Sequence, residues 1–153
     1  LRGGAKGLDL CVTVTLIDAL VLARSAFHHS MNYRSVVIFG RATPITDLDE
    51  KRAALDALVE HVVPGRTADA RPPTEKELKG TLVLSLSLEE CSVKARTGGP
   101  KDDDEDMDLP VWAGIIPLVT TPGEPEAVAD LRGAPPVPAY ATGYTREAAG
   151  AGM

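Results

Sequence analysis

The stretch AFHHSMNYRSVVIFGRA, residues 26–42, decides the fold. Its first half is polar and rich in rings, with adjacent histidines at His28 and His29, and its second half, VVIF at residues 36–39, is apolar and mostly β-branched. Such an apolar run favours a strand that is covered on both faces. The polar half predicts a loop over residues 28–34 at the mouth of that strand, and loops on a rigid scaffold are where binding groups concentrate.

The residues before this stretch predict a β-hairpin. In LDLCVTVT, residues 8–15, apolar and polar side chains alternate with the period of two that is typical of a half-buried strand. Residues 17–19 predict a short turn, and residues 20–25 predict a second β run.

Two helices are expected after the central strand. Asp47 is followed three residues later by Glu50, which resembles a capping box, and apolar residues then recur at helical spacing. This pattern predicts an amphipathic helix over about residues 48–62. Thr74 and Glu77 repeat the capping pattern and predict a second, short helix.

Further strands are predicted in the second half of the chain. TLVLSLSL, residues 81–88, has the cleanest alternation, residues 91–97 resume it, and VWAGIIPL, residues 111–118, is the last strand candidate. The acidic run at residues 101–108 lacks the central Gly and final Glu of an EF-hand and is interpreted as a solvated loop. Strands therefore outnumber helices, which predicts a mainly β fold, a small antiparallel barrel with α insertions.

Composition narrows the class of protein. The chain has 153 residues and a mass of 16.1 kDa, and only 4% of its residues are aromatic, so one core built from aliphatic side chains is expected. The net charge of −6 argues against nucleic acid or an anionic membrane as partner. Cys11 and Cys91 are expected to be reduced, buried thiols. With no signal peptide or membrane-spanning run in the sequence, a cytoplasmic location is expected.

A family resemblance rests on YRSVVIFGRA at residues 33–42, the preceding LCVTVTLIDALVLARSAFHHS and the later LPVWAGIIPL. These segments resemble the pyridoxamine 5′-phosphate oxidase-like flavin-binding proteins, in the branch that includes the 5-nitroimidazole-resistance proteins. The resemblance implies an antiparallel split β-barrel over residues 1–118, a homodimer, and FMN in a cleft between the subunits. Residues 119–153, rich in Pro, Gly and Ala, are expected to form a mobile or surface-draped tail.

The resemblance also implies that the segment that grips the FMN phosphate in this family precedes the present first residue, Leu1. Since the chain begins with Leu rather than Met, we expect the native start to lie upstream.

The candidate cofactor-binding residues follow from what a flavin needs: an apolar slot, hydrogen-bond donors for its pyrimidine edge, and cations or N–H groups for its phosphate. Tyr33, Arg34 and Ser35 supply donors at a strand entrance, and His28 and Asn32 could reach a ring edge or a substrate. Arg34 could equally pair with a carboxylate of a neighbouring chain.

Trp112 and the pair His28–His29 each allow a functional and a purely structural interpretation. Trp112 could stack on a flat ring, but a lone Trp could also only pack in a small barrel. The pair His28–His29 is not expected to bind a metal ion, because adjacent residues on an extended chain point in opposite directions.

Two functions follow. The first is an FMN-dependent oxidoreductase that acts on a small-molecule substrate or electron acceptor, since no Ser-His-Asp set, paired-carboxylate site or nucleotide-binding glycine motif is present and the cofactor would carry the chemistry. The second is a non-catalytic split-barrel module that binds haem, a deazaflavin or another small molecule, with His28 or His29 as the axial ligand of haem.

Overall fold

A computed structural model describes residues 7–145, and its internal contacts divide the chain into two units. The first contains Leu1–Thr43 and Leu86–Val119, and the second contains Pro44–Ser85 and Thr120–Met153. The expected division between a barrel domain over residues 1–118 and a tail over residues 119–153 stays a prediction.

Two long antiparallel strands build the first unit. β1 (Leu8–Leu22) pairs along its length with β2 (Ser30–Pro44), so that Val12 lies opposite Ile38. Alternate residues of β2 line opposite faces, and directly paired residues share a face. We call the faces the Arg34 face and the Tyr33 face. On β2 the Arg34 face comprises Ser30, Asn32, Arg34, Val36, Ile38, Gly40 and Ala42, and the Tyr33 face comprises Met31, Tyr33, Ser35, Val37, Phe39 and Arg41.

Two shorter strands extend this sheet on either side. β4 (Cys91–Arg96) pairs antiparallel with β2, and β5 (Gly114–Pro117) pairs antiparallel with the end of β1. The order in this unit is β4-β2-β1-β5, and the sheet is open. The prediction of a mainly β, antiparallel fold is confirmed, and the strand predicted over residues 91–97 is present. The strand predicted over residues 111–118 is shorter, because only four of its residues pair.

The hairpin predicted within residues 8–25 is wrong. β1 runs straight through residues 17–19, and its register against β2 shifts between Ile17 and Ala19. Asp18 is thus the extra residue of a β-bulge, which adds a local bend without ending the strand. Pairing with β2 on both sides of Asp18 outweighs the turn preference of a single Asp.

The loop predicted over residues 28–34 is also mostly strand. A 3₁₀ turn over Ala26–His28, capped by the hydroxyl of Ser25, makes the connection, and β2 begins at Ser30. The side chains of residues 30–34 are polar, but their backbone pairs with β1 from Leu16 to Val21. Polar residues on a strand alternate between faces, so they do not form one cluster.

The helices of the second unit were predicted correctly. α1 (Leu48–Val62) begins after Asp47, whose Oδ1 accepts from the backbone N–H groups of Asp49 and Glu50 at 3.0 and 2.9 Å. α2 (Glu75–Gly80) begins with the full capping box of Thr74 and Glu77. A third, four-residue helix, α3 (Ala139–Thr142), lies near the end of the described chain.

The strand predicted over residues 81–88 is largely wrong. Only β3 (Leu84–Ser85) is a strand, and the side chains of Leu82 and Leu88 are 58% and 66% exposed. Alternation alone does not make a strand, because a strand also needs a partner for its backbone.

Few side chains are fully buried in the described residues. The buried apolar residues are Ala19, Val21, Ala23 and Ala42 in the first unit and Leu78 in the second. The prediction that Cys11 and Cys91 are buried is wrong, since both are exposed; both are free thiols, as expected. The alternating residues that the sequence assigned to a core remain partly exposed on the sheet, as the 51% exposure of Val14 shows.

Candidate functional site

The six residues predicted to bind a cofactor lie on different parts of the first unit. Tyr33 and Ser35 are on one face of β2, while Asn32 and Arg34 are on the other. The remaining two are His28, which ends the 3₁₀ turn between β1 and β2, and Trp112, which precedes β5. The structure therefore does not bring Tyr33, Arg34 and Ser35 onto one surface, although they are consecutive in the sequence.

Asn32 is 7% exposed, and both ends of its amide are bonded within the protein. Its Nδ2 donates to the carbonyl of Gly98 at 3.1 Å, and its Oδ1 accepts from Nη1 of Arg96 at 2.7 Å. Nη2 of Arg96 also donates to the carbonyl of Gly99 at 3.3 Å. Asn32 thus fixes the loop that follows β4, and its predicted role at a ring edge stays a prediction.

Arg34 forms a two-pronged ion pair with Asp18, the bulge residue of β1. Nε and Nη2 of Arg34 donate to the two carboxylate oxygens of Asp18 at 3.1 and 2.9 Å. The hydrogen bond from Arg34, with its charge, lowers the pKa of Asp18, and the same contact raises the pKa of Arg34. The predicted partner was a carboxylate of a neighbouring chain or a flavin; here the carboxylate comes from the same chain.

Hydroxyl groups and the lysine Lys94 lie on the Tyr33 face. The hydroxyl oxygens of Ser35 and Thr15 are 2.7 Å apart, and Tyr33 is half-buried. On β4, Lys94 lies directly opposite Ser35. Arg96 pairs with Tyr33 in the backbone, but its guanidinium is bonded to Asn32 and to the carbonyl of Gly99. Lys94 has no recognisable signal in the sequence, because only the register between β2 and β4 puts it beside Ser35.

Trp112 lies against the backbone of β5. A Cβ atom added to Gly114 would lie 2.7 Å from Cζ2 and 2.8 Å from Cη2 of the Trp112 ring. The ring therefore occupies the space where a side chain at Gly114 would stand. Gly114 pairs with Leu22, and the alternation of β5 puts that space on the Tyr33 face. The tryptophan is 65% exposed, so a large part of the indole is open to solvent.

The two histidines make separate contacts. Nε2 of His28 is 3.2 Å from the carboxylate of Asp103, and Nδ1 of His29 is 3.0 Å from the carbonyl oxygen of Ser25. Since carboxylate and carbonyl oxygens only accept, the proton belongs on Nε2 of His28 and on Nδ1 of His29. The neutral rings then offer different nitrogens as acceptors, Nδ1 of His28 and Nε2 of His29.

The acidic run is hydrogen-bonded to Arg24, which follows β1. The sequence did not predict this contact. The side chain of Asp102 is only 2% exposed and accepts from the backbone N–H and from Nη1 of Arg24, both at 2.7 Å. Burial alone would raise the pKa of Asp102, but these hydrogen bonds outweigh it and hold the pKa below its usual range. Nothing local in the sequence signals this pair, whose members are 78 residues apart.

Residues 7–145 contain neither a cluster suited to a metal ion nor a helix suited to a membrane. No group of three or more His, Cys, Asp or Glu side chains in this range is placed to hold a metal ion. Within the same range, no helix has both the length and the apolar character needed to cross a membrane.

Comparison with known proteins gives a family and two structural neighbours. A family model described as pyridoxamine 5′-phosphate oxidase matches residues 1–95. The chain is similar to the flavocytochrome Anf3 from Azotobacter vinelandii, with 42% identity and a TM-score of 0.81 over 87% of this chain and 62% of that one. It is also similar to the FAD and haem binding protein from Mycobacterium smegmatis, with 42% identity and a TM-score of 0.85 over 92% of this chain and 69% of that one.

These matches settle the family of the chain and its fold class. The chain spans only 62% of the length of the flavocytochrome, and no curated protein matches it. The likeness to the two solved structures confirms the predicted fold class, an antiparallel split β-barrel. The family model covers well over half of the chain. The chain therefore belongs to the pyridoxamine 5′-phosphate oxidase-like family.

Proposed function

We propose that this protein binds a flavin and acts as a flavin-dependent oxidoreductase on a small molecule. The observation that carries the proposal is the 42% identity, over most of the chain, to a flavocytochrome and to a protein that binds FAD and haem. When bound, the flavin would supply hydride or electron transfer, and the protein would orient it and exclude competing reactions.

The Tyr33 face offers the groups that a flavin requires. The exposed ring of Trp112 is a surface on which a flat ring system can stack, and the hydroxyl groups of Tyr33 and Ser35 can donate to a polar edge. Lys94, opposite Ser35, is a cation for a phosphate group. Arg34, on the other face and paired with Asp18, would have to exchange partners to contact the same ligand.

Within the family we assign the chain to the branch that includes the 5-nitroimidazole-resistance proteins, on the motif YRSVVIFGRA at residues 33–42. We assign FMN as the flavin on the same ground. The FAD named for the M. smegmatis neighbour is the competing cofactor, and a binding assay that includes both flavins decides between them.

We further propose that the protein works as a homodimer. Apolar residues of β1 and β4 are exposed on the Arg34 face, among them Val14 at 51%, Leu16 at 42% and Val93 at 71%. A contiguous exposed apolar patch on a soluble protein marks an interaction surface, and a second copy would cover it. A dimeric mass by light scattering supports this assignment, and a monomeric mass at micromolar concentration contradicts it.

Haem binding without turnover is the second candidate function, and the geometry of His29 favours it. The hydrogen bond of its Nδ1 to the carbonyl of Ser25 leaves Nε2 as the free acceptor, which is the arrangement typical of metal-ligating histidines. A Soret band that forms on addition of haemin and is lost in His29→Ala, but kept in His28→Ala, is the expected result for this candidate.

The test of the flavin proposal compares three ligands that share one ring system. Riboflavin carries no phosphate, FMN carries one and FAD carries two, and flavin fluorescence reports binding of each. We expect Lys94→Ala to weaken FMN and FAD binding while riboflavin binding is unchanged, because the cation serves only the phosphate. Lys101→Ala, also at an exposed lysine, is the matched control and should change none of the three. If the unsubstituted protein binds none of the three flavins, the proposal fails.

A further inference from the structure

The indole ring of Trp112 packs so closely on Gly114 that it fills the space a side chain at position 114 would need. Cβ at position 114 would overlap two atoms of the six-membered ring, at 2.7 and 2.8 Å, and a third ring atom, Cε2, lies at 3.5 Å. Tryptophan is a rigid plane with two side-chain torsions, so it cannot yield to such an overlap as a flexible aliphatic tip can. A Cβ at this position would force the whole ring to move.

The backbone does not itself require glycine at this position. Gly114 is absent from the glycines that have a positive φ, which are Gly7, Gly65, Gly98 and Gly133 in the described chain. It lies in a strand paired regularly with β1, where an alanine is accommodated without backbone strain. The close approach of the Trp112 ring is therefore what favours a glycine here.

The position of the ring over Gly114 also determines on which face of the sheet the indole is exposed to solvent. The indole lies on the Tyr33 face, where a side chain at Gly114 would otherwise be, and Trp112 is 65% exposed. Trp112 is the only tryptophan in the chain. The position of this ring thus determines how closely a flat ligand can approach the sheet.

We infer that Gly114 is a positioning residue for ring binding: the absence of a side chain at this position lets the Trp112 indole lie close to the backbone of β5, and the ring held there is a stacking surface for a fused, planar ring system, an isoalloxazine or a porphyrin. The inference rests on the proposed function for the identity of the ligand. The inference goes beyond the proposed function because it assigns affinity for the ring of the ligand, as distinct from its phosphate, to Gly114. This residue has no side chain with which to contact the ligand.

The experiment uses Gly114→Ala, with Gly123→Ala as the matched control, because a Cβ at Gly123 meets nothing within 4 Å. The first measurement needs no ligand. Trp112 is the sole tryptophan, so its emission maximum and its quenching by acrylamide report on this ring alone. In Gly114→Ala we expect a red-shifted emission and stronger quenching, and in Gly123→Ala no change. Unchanged emission in Gly114→Ala overturns the inference.

The second measurement separates the ring from the phosphate. Aromatic stacking contributes enough that its loss should weaken riboflavin, FMN and FAD by the same factor, about 2- to 10-fold. A structural defect at a distance from the ring would not produce an equal factor for all three ligands together with a displaced Trp112. Should emission shift while affinity for all three flavins stays constant, the inference is overturned and the proposed function stands.

A third variant protects the test against a folding defect in Gly114→Ala. In a Trp112→Leu background the bulky ring is gone, so adding Gly114→Ala should cost no further flavin affinity, and the two substitutions should be non-additive. If the effects of the two substitutions on flavin affinity are fully additive, Gly114 does not act through Trp112 and the inference is overturned. If the unsubstituted protein binds no flavin, the proposed function fails; haemin is then the probe, and equal haemin affinity in Gly114→Ala and the unsubstituted protein overturns the inference as well.

Discussion

Replacing Asn32 by alanine should destabilise the protein more than it affects flavin binding. The side chain is 7% exposed, its Oδ1 accepts from Arg96 and its Nδ2 donates to the carbonyl of Gly98. Truncation removes both hydrogen bonds and leaves the guanidinium of Arg96 and a backbone carbonyl without these partners.

The magnitude follows from the two bonds. A hydrogen bond to a charged group contributes about 1.5–3 kcal/mol and one between neutral groups about 0.5–1.5 kcal/mol, so the free energy of unfolding should fall by about 2–4 kcal/mol. For a chain of this size, the expected decrease in the melting temperature is roughly 4–16 °C.

The assay is thermal unfolding followed by circular dichroism, together with a riboflavin titration of each variant at a temperature where all are folded. Met31→Ala is the control, because its side chain is 49% exposed and the substitution should change stability by less than about 0.5 kcal/mol. Asn32→Asp keeps the acceptor for Arg96 and should lose less stability than Asn32→Ala. An Asn32→Ala protein that melts normally but has lost riboflavin would refute the reasoning, since its amide would then serve the ligand and not the loop.

Three further predictions concern the second unit. Leu78→Ala, at a fully buried side chain, should lower the free energy of unfolding in urea by about 2–5 kcal/mol, whereas Leu82→Ala, 58% exposed, should not; equal losses would contradict the described core. The hydrogen bonds from Arg71 and Thr74 lower the pKa of Glu77 from 4.5 to about 2, so its stabilisation is present above pH 4.5 and is lost as the pH falls towards 2. Glu77→Gln should therefore flatten the acid limb of the stability profile, and an unchanged limb would contradict this. Tyr140→Ala should accelerate proteolysis near residues 138–143, because the hydroxyl of Tyr140 accepts from Arg66 at 2.6 Å; Tyr140→Phe, which retains the ring, should fall between, and equal cleavage rates in all three would contradict the contact.

Features with local causes could be predicted from the sequence. α1 and α2 were predicted because their capping residues and apolar spacing lie within one short segment, and Asp47 and Thr74 make the expected hydrogen bonds. The strand over residues 91–96 followed from their alternation and is present, although its partner, β2, was not predicted.

Features that depend on pairing between distant residues could not be predicted. Asp18 indicated a turn, but the partner strand holds it as a bulge, and the regular leucines of residues 81–88 form only two residues of strand. Tyr33, Arg34 and Ser35 suggested a single cluster until the strand alternation put Arg34 on the opposite face. The pairing of Arg24 with Asp102 joins two segments whose sequences contain no sign of each other.

The flavin content of the purified protein tests flavin binding most directly. After purification in the presence of excess riboflavin, FMN and FAD, followed by removal of free ligand, the acid-released flavin is identified by chromatography and its ratio to protein is measured. We expect close to one flavin per chain, with FMN retained in preference to riboflavin. A colourless protein that releases no flavin would contradict it.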